Sequence, residues 1–181
     1  MSKRAFQNYP RNPRDLYKTP EHAVLPLVPH LSGVDSFDEP CAADGGLVRH
    51  IQKHTGLICN RASDIEPQAP GIKKQDLFKI SKTKSKIFIS NTRWPMPHQK
   101  GEPAISMILH LSNIAPAWLI YSADMAHNVY FAEKLAQRCV KIVAAGRVSW
   151  MHNGDGGFDN AAWYLFDKTH DQGIAFVERA A

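Results

Sequence analysis

Four acidic residues and one asparagine carry the chemistry legible in this chain. Glu39 opens the segment Glu39-Pro40-Cys41-Ala42-Ala43-Asp44-Gly45-Gly46, where small residues beside a carboxylate let a ligand come close to the backbone. Asp64 follows in Ser63-Asp64-Ile65-Glu66, about twenty residues on, a spacing at which a strand-end carboxylate accepts hydrogen bonds from ribose hydroxyls. Asp76 stands in Gln75-Asp76-Leu77-Phe78 beside an apolar neighbour. Asn91 ends the apolar run 86–90 and precedes Thr92-Arg93-Trp94, so an amide and an indole fall close together at the end of a strand. Each piece also has a plain reading: Asp44-Gly45-Gly46 as a turn, Asp64 as a solvated strand end, Asp76 as a cap, Asn91 as a turn cap with Trp94 in the core.

These residues need strands to carry them. Thr19-Pro20-Glu21 predicts a helix start with a hydroxyl N-cap and proline in first position. Gly33 marks the turn before a strand at 36–41. A helix through 47–51, ended by Gly56, leads to strands at 57–63 and 86–90. An apolar helix at 104–111, a strand at 117–122 and a helix at 128–138 come next. A strand at 140–150, a glycine-rich turn at 152–157 and a strand at 161–166 complete the pattern. The alternation predicts an α/β fold, a mostly parallel sheet with helices on both faces. The last two strands should be antiparallel, because about ten connecting residues are too few for a helical crossover. In such sheets ligands gather at the carboxyl ends of strands near the topological switch point, where the residues above fall.

Composition narrows the partners. The chain has 181 residues, 44% hydrophobic and 22% charged, which suits one domain over 17–181 behind a basic segment at 1–16. With no long apolar run and no secretion signal, a cytoplasmic protein without membrane partners is expected. Cys41, Cys59 and Cys139 are odd in number and widely spaced, against a disulfide framework or a CxxC zinc site. His50 and His54 lack a third ligand at matching spacing, and Asp155 lacks the oxygen pattern of a calcium loop, so no metal is expected. The GxGxxG of a dinucleotide-binding dehydrogenase is absent. A net charge of +5, with Lys3, Arg4, Arg11, Arg14 and Lys18 at one end and six lysines between 73 and 86, fits a polyanionic partner.

Taken in order, Tyr17-Lys18-Thr19-Pro20, Glu39 to Gly45, Asp64-Ile65-Glu66, Asp76-Leu77-Phe78 and Asn91-Thr92-Arg93-Trp94 resemble the motifs of class I S-adenosylmethionine-dependent methyltransferases. The closest resemblance is to the DNA amino-methyltransferases with an Asn-Pro-Pro-aromatic motif, in their gamma order, and it covers residues 17 to 167. It implies a Rossmann-like, mostly parallel seven-stranded sheet with an antiparallel last strand. It also implies S-adenosylmethionine as cofactor: Thr19, Glu39, Ala42 and Asp44 along its methionine, Asp64 at its ribose, and Ile65, Asp76 and Leu77 around its adenine. Tyr17, Pro20, Cys41 and Asn91 complete those contacts.

The same resemblance gives Asn91 and the Thr92 carbonyl the task of accepting the hydrogens of a nucleobase amine. That localises a lone pair otherwise delocalised into the ring. Trp94 would stack on the flipped base, and Arg11, Arg14 and Arg93 would meet nucleic acid. Thr92 and Arg93 replace the family's two prolines, leaving the backbone there less constrained. The expected activity is methylation of adenine in DNA by a small, phage-type enzyme without a separate target-recognition domain. Sequence reading would then fall to short loops, the basic N-terminus, a partner subunit or a second copy. The alternatives are a methyltransferase-like module that binds nucleic acid or protein without turnover, or an enzyme acting on RNA or a protein amide.

Overall fold

The computed structural model describes residues 16–95, 99–151 and 160–179. Eight strands form one sheet: β1 (Ser36–Glu39), β2 (Ile58–Asp64), β3 (Lys73–Lys74), β4 (Ile87–Ser90), β5 (Ala117–Ser122), β6 (Cys139–Arg147), β7 (Asn160–Phe166) and β8 (Ala175–Val177). Their order is β3-β2-β1-β4-β5-β7-β6-β8, and β7 runs antiparallel between β5 and β6 while every other pair is parallel. Helices α1 (Glu21–Val24), α2 (Gly46–Thr55), α3 (Ala104–Ile114) and α4 (Val129–Lys134) flank the sheet.

Side-chain alternation on the central strands builds two cores. Phe88, Leu119, Tyr121, Tyr164 and Phe166 point to the face covered by α3 and α4, with Ile105, Ile108 and Phe131. Ile87, Ile89, Trp118, Ile120 and Trp163 point to the other, packed with Val24, Leu27, Leu47 and Ile51. Because both faces are covered, β4 and β5 read as continuous apolar runs. Trp163 donates its indole N–H to the Ala23 carbonyl at 2.7 Å and so ties α1 to the sheet.

Several expectations need correction. Thr19 does not cap α1: Pro20 holds the N-cap position, and the helix gives way after four residues to a 3-10 segment, Leu25–Leu31, containing Pro26 and Pro29. The helix expected over 128–138 breaks at Leu135 (φ −121°), and β6 stops at Arg147. The sheet also has two edge strands beyond those read from the sequence. One, β3, is a pair of lysines, and the other, β8, lies beyond β6, so the antiparallel strand is next to last in the chain. Neither carries an alternating apolar pattern long enough to read. The segment containing Arg11 and Arg14 and the turn at 152–157 lie outside the described residues. Among the described residues no helix is long and apolar enough to cross a membrane, and no group of His, Cys, Asp and Glu could hold a metal ion.

Candidate active site

Strand β1 has β2 on one side and β4 on the other, and the chain order reverses there. Its carboxyl end is the switch point. Residues after β1 turn through Ala43 (φ 47°) and Gly45 (φ 75°) into α2, and a non-glycine residue in the left-handed region needs a partner to hold it. Asp64 is that partner. Its Oδ2 accepts the Ala43 N–H at 2.8 Å and its Oδ1 accepts the Glu66 N–H at 2.8 Å, so one carboxylate fixes the loops after both β1 and β2. Asp44 accepts the Gly46 N–H at 2.9 Å at the start of α2 and pairs with Lys18 at 3.1 Å. Burial alone would raise the Asp44 pKa, but Lys18, the Gly46 N–H and Arg49 outweigh it and hold it below the ordinary value.

Glu39 behaves oppositely. It is 1% exposed, and its Oε2 is buried with no hydrogen-bond partner among the described residues. Burial, then the charges of Asp64 and Asp44, push its pKa well above the usual carboxylate range. Ser63 Oγ and Ser90 Oγ, at the carboxyl ends of β2 and β4, are likewise buried without partners. Of these three, only Glu39 lines the cavity at the strand ends, so its unpaired oxygen is the one that a polar group entering there could reach.

Asn91 closes the site from the β4 side. Its Nδ2 donates to the Tyr17 carbonyl and to Thr19 Oγ1, both at 3.2 Å, while its Oδ1 accepts the Trp94 indole N–H at 3.2 Å. The amide thus staples residues 17–19 over the strand ends, which is where the Thr19 hydroxyl is used instead of at a helix cap. Thr92 is buried and its hydroxyl is hydrogen-bonded to the Tyr121 hydroxyl, whose pKa burial pushes up. Trp94 is half-buried and meets Trp150 edge-to-face at 5.3 Å between ring centroids.

Tyr17, Thr19, Glu39, Cys41, Ala42, Asp44 and Asn91 line one cavity of about 20 Å³, together with Lys18, Ala43, Gly46 and Leu47. That volume holds about one water. Asp64 touches the cavity lining through Ala43, and Pro20 is buried and does not line the cavity. Ile65 is 54% exposed, Asp76 caps a 3-10 turn by accepting the Phe78 N–H at 2.9 Å, and Leu77 packs into the core, so these three do not share the cavity. Thr92 and Trp94 lie beyond it, and Arg93 is exposed next to them. The sequence reading missed Lys18 as the partner of Asp44, although its place beside Thr19 was a signal. Tyr121 gave none.

No family model matches the chain, and no curated protein sequence matches it. Solved structures do. A protein described as an RNA methyltransferase from Pyrococcus horikoshii superposes with a TM-score of 0.59 at 16% identity, over 86% of this chain and 89% of its own. A protein of Listeria monocytogenes described as a class I S-adenosylmethionine-dependent methyltransferase gives 0.58 at 10% identity, over 90% and 66%. A protein of Vibrio vulnificus YJ016 described as the modification subunit of a type I restriction enzyme gives 0.56 at 11%, over 90% of this chain and 47% of its own. At these identities the likeness is one of fold: the chain has the Rossmann-like fold of the class I methyltransferases.

Proposed function

We propose that this chain is an S-adenosylmethionine-dependent methyltransferase acting on the exocyclic amine of a nucleobase, with adenine in DNA as the substrate. The observation that carries this is the unpaired, buried Glu39 oxygen in a cavity at the switch point that Asn91 also lines. The donor set fits the cofactor: an acceptor without a partner and the Asp44 carboxylate suit a ligand bringing an ammonium group. When bound, the cofactor supplies an electrophilic methyl on a sulfonium. A cavity of about 20 Å³ is far below the ~300 Å³ of the smaller ligand pockets, so on this reading residues 17–19, which Asn91 ties over the strand ends, move aside when the cofactor binds. The nucleic acid substrate draws support from the structural neighbours described as an RNA methyltransferase and a restriction modification subunit.

The chain's own part is positioning. Asn91 Oδ1 keeps a lone pair beyond the one taken by Trp94 and can accept a hydrogen of the target amine. The Thr92–Tyr121 hydrogen bond anchors the backbone where the family has proline, keeping the Thr92 carbonyl in place as second acceptor. Trp94, gripped by Asn91 and Trp150, offers a rigid platform for a base, and Arg93 offers charge for a phosphate. A second reading, a binding module without turnover, is favoured by one observation: every polar group of the Asn91 side chain already has a partner inside the protein.

Transfer from labelled cofactor to DNA, RNA or protein separates the readings. Asn91→Ala should lose ~100- to 1000-fold in rate, as expected for a lost transition-state acceptor. Replacing Thr92 and Arg93 by prolines would strand the Tyr121 hydroxyl, so Tyr121→Phe should accompany it. Wild type and this triple variant both inactive on every substrate, with cofactor still bound, would favour the binding module.

A further inference from the structure

An open slot of about 420 Å³ runs along the outer edge of β2 and shares no lining residue with the strand-end cavity. Gln52 of α2, Asn60 and Arg61 of β2, Lys73, Gln75 and Lys84 are among the residues that line it. The slot exists because residues 65–72 and 80–86 form no helix, and among the described residues β2 has an outer neighbour only at Ser63 and Asp64.

A buried carboxylate fastens the loop beside the slot. Asp38 accepts Arg61 Nη2 at 2.6 Å, the Lys84 N–H at 2.8 Å, and the hydroxyls of Thr83 and Ser85 at 3.0 and 2.8 Å. The Arg61 charge is thereby neutralised from within. Lys73 and Lys84 are exposed and make no ion pair among the described residues, and no acid lines the slot. Its net character is cationic. In its wall Gln75 Oε1 is buried with no partner. Lysines on a strand edge also deter edge-to-edge pairing, but that role needs no buried amide left unpaired.

A ligand that satisfies both features carries anionic charge for the lysines and a hydrogen-bond donor for the amide. A nucleotide does so: phosphate for Lys73 and Lys84, and a base amine or sugar hydroxyl for Gln75. The volume is that of a small-molecule site, within the ~300 to 1,000 Å³ range. We propose that the β2-edge slot binds a nucleotide unit, either one residue of a nucleic acid strand or a free nucleotide, at a site separate from the strand-end cavity.

The test is fluorescence anisotropy of a short labelled deoxyadenosine oligonucleotide, without cofactor, on the full chain, with adenosine monophosphate as competitor. The double variant Lys73→Ala, Lys84→Ala should lower affinity and flatten the slope of log K against log salt by roughly 1.4, at about 0.7 per phosphate contact. Gln75→Leu should lower affinity roughly three- to tenfold with no drop in melting temperature, since it removes a buried unpaired group. Lys134→Ala, at the exposed end of α4, should change nothing. Displacement by the monophosphate, lost in the slot variants, identifies a free nucleotide; strand binding without it identifies a strand residue. The proposal is overturned if Gln75→Leu binds as wild type does. It is equally overturned if Lys134→Ala costs as much as either slot lysine, or if oligoglutamate displaces the oligonucleotide and loses affinity in the same variants, which would make the slot a carboxylate site. No methyl transfer enters this assay, so its failure leaves the methyltransferase reading standing.

Discussion

Strand β2 borders two regions of opposite character. At its carboxyl end the polar groups are drawn inward: Asp64 is spent on two backbone N–H groups, Asp44 on Lys18, Asn91 on residues 17, 19 and 94, and only a small cavity remains around Glu39. Along its outer edge the charge is positive and the surface open, with Asp38, Asn60 and Arg61 fastening the adjoining loop. The first region arises where parallel strands deliver their ends to one place, so carboxylates from distant segments must be reconciled. The second arises where helices are lacking. A convergent site is shut by its own hydrogen bonds, and an edge site stays open because little covers it.

The largest test strikes the carboxylate that fastens the loop beside the open region. Asp38→Ala leaves the partly buried Arg61 guanidinium with only the Lys82 carbonyl and strands the Lys84 N–H, a loss of ~3 kcal/mol, at the low end for a broken buried pair. Chemical denaturation should show that loss, and chain mobility at 81–86 measured by hydrogen exchange should rise first. If exchange rises equally at the strand ends, the two regions are not separable. Next is the carboxylate that shapes the closed region. Asp64→Asn keeps one acceptor and loses the other, so the Ala43 or Glu66 N–H goes unpaired at ~1.5 to 3 kcal/mol. The same measurement should now place faster exchange at 42–46 and 64–66, leaving the slot unaffected.

Glu39→Gln sharpens the contrast through pH. In the unfolded chain Glu39 sheds its proton near its ordinary 4.5, while in the folded protein burial keeps the proton on. The folded state therefore binds more protons, and the stability this group contributes is full below pH 4.5 and is lost as pH rises toward its raised folded pKa. The variant lacks that loss, so its melting temperature should match wild type at pH 4 and exceed it at pH 8. Affinity for S-adenosylhomocysteine, which carries an ammonium, should rise with pH in wild type and stay flat in the variant. A flat wild-type curve would detach Glu39 from the ligand site. The smallest effect belongs to Lys18→Ala. Its pair with Asp44 is half exposed on the lysine side, so stability should fall by no more than ~1 kcal/mol. Calorimetry should show equal or tighter binding of the same ligand, because the strap over the cavity loses one tie; weaker binding would make Lys18 part of the ligand site.

Much of the fold was legible because it is local. The apolar runs at 87–90 and 117–122, the Gly56 stop of α2, and the short link between β6 and β7 each follow from neighbouring residues, and the alternation of elements then admits few topologies. The edge strands β3 and β8 were not legible, since two lysines or three residues carry no periodic signal and pair only because a neighbour offers its edge.

The sequence by itself determined which residues stand at strand ends, because strand ends are set by local pattern and the carboxylates are written beside them. What those residues do to one another was decided by the tertiary structure. Glu39 and Asp64 look alike on the page, yet one is fully hydrogen-bonded to two loops and the other is buried with an unpaired oxygen. Thr92 reads as a lost proline and is in fact anchored to Tyr121, 29 residues further along the chain. Burial and hydrogen-bond partners depend on which distant segments the crossovers bring together, and a change in dielectric surroundings or a single N–H is enough to separate a satisfied carboxylate from one with an unpaired, buried oxygen.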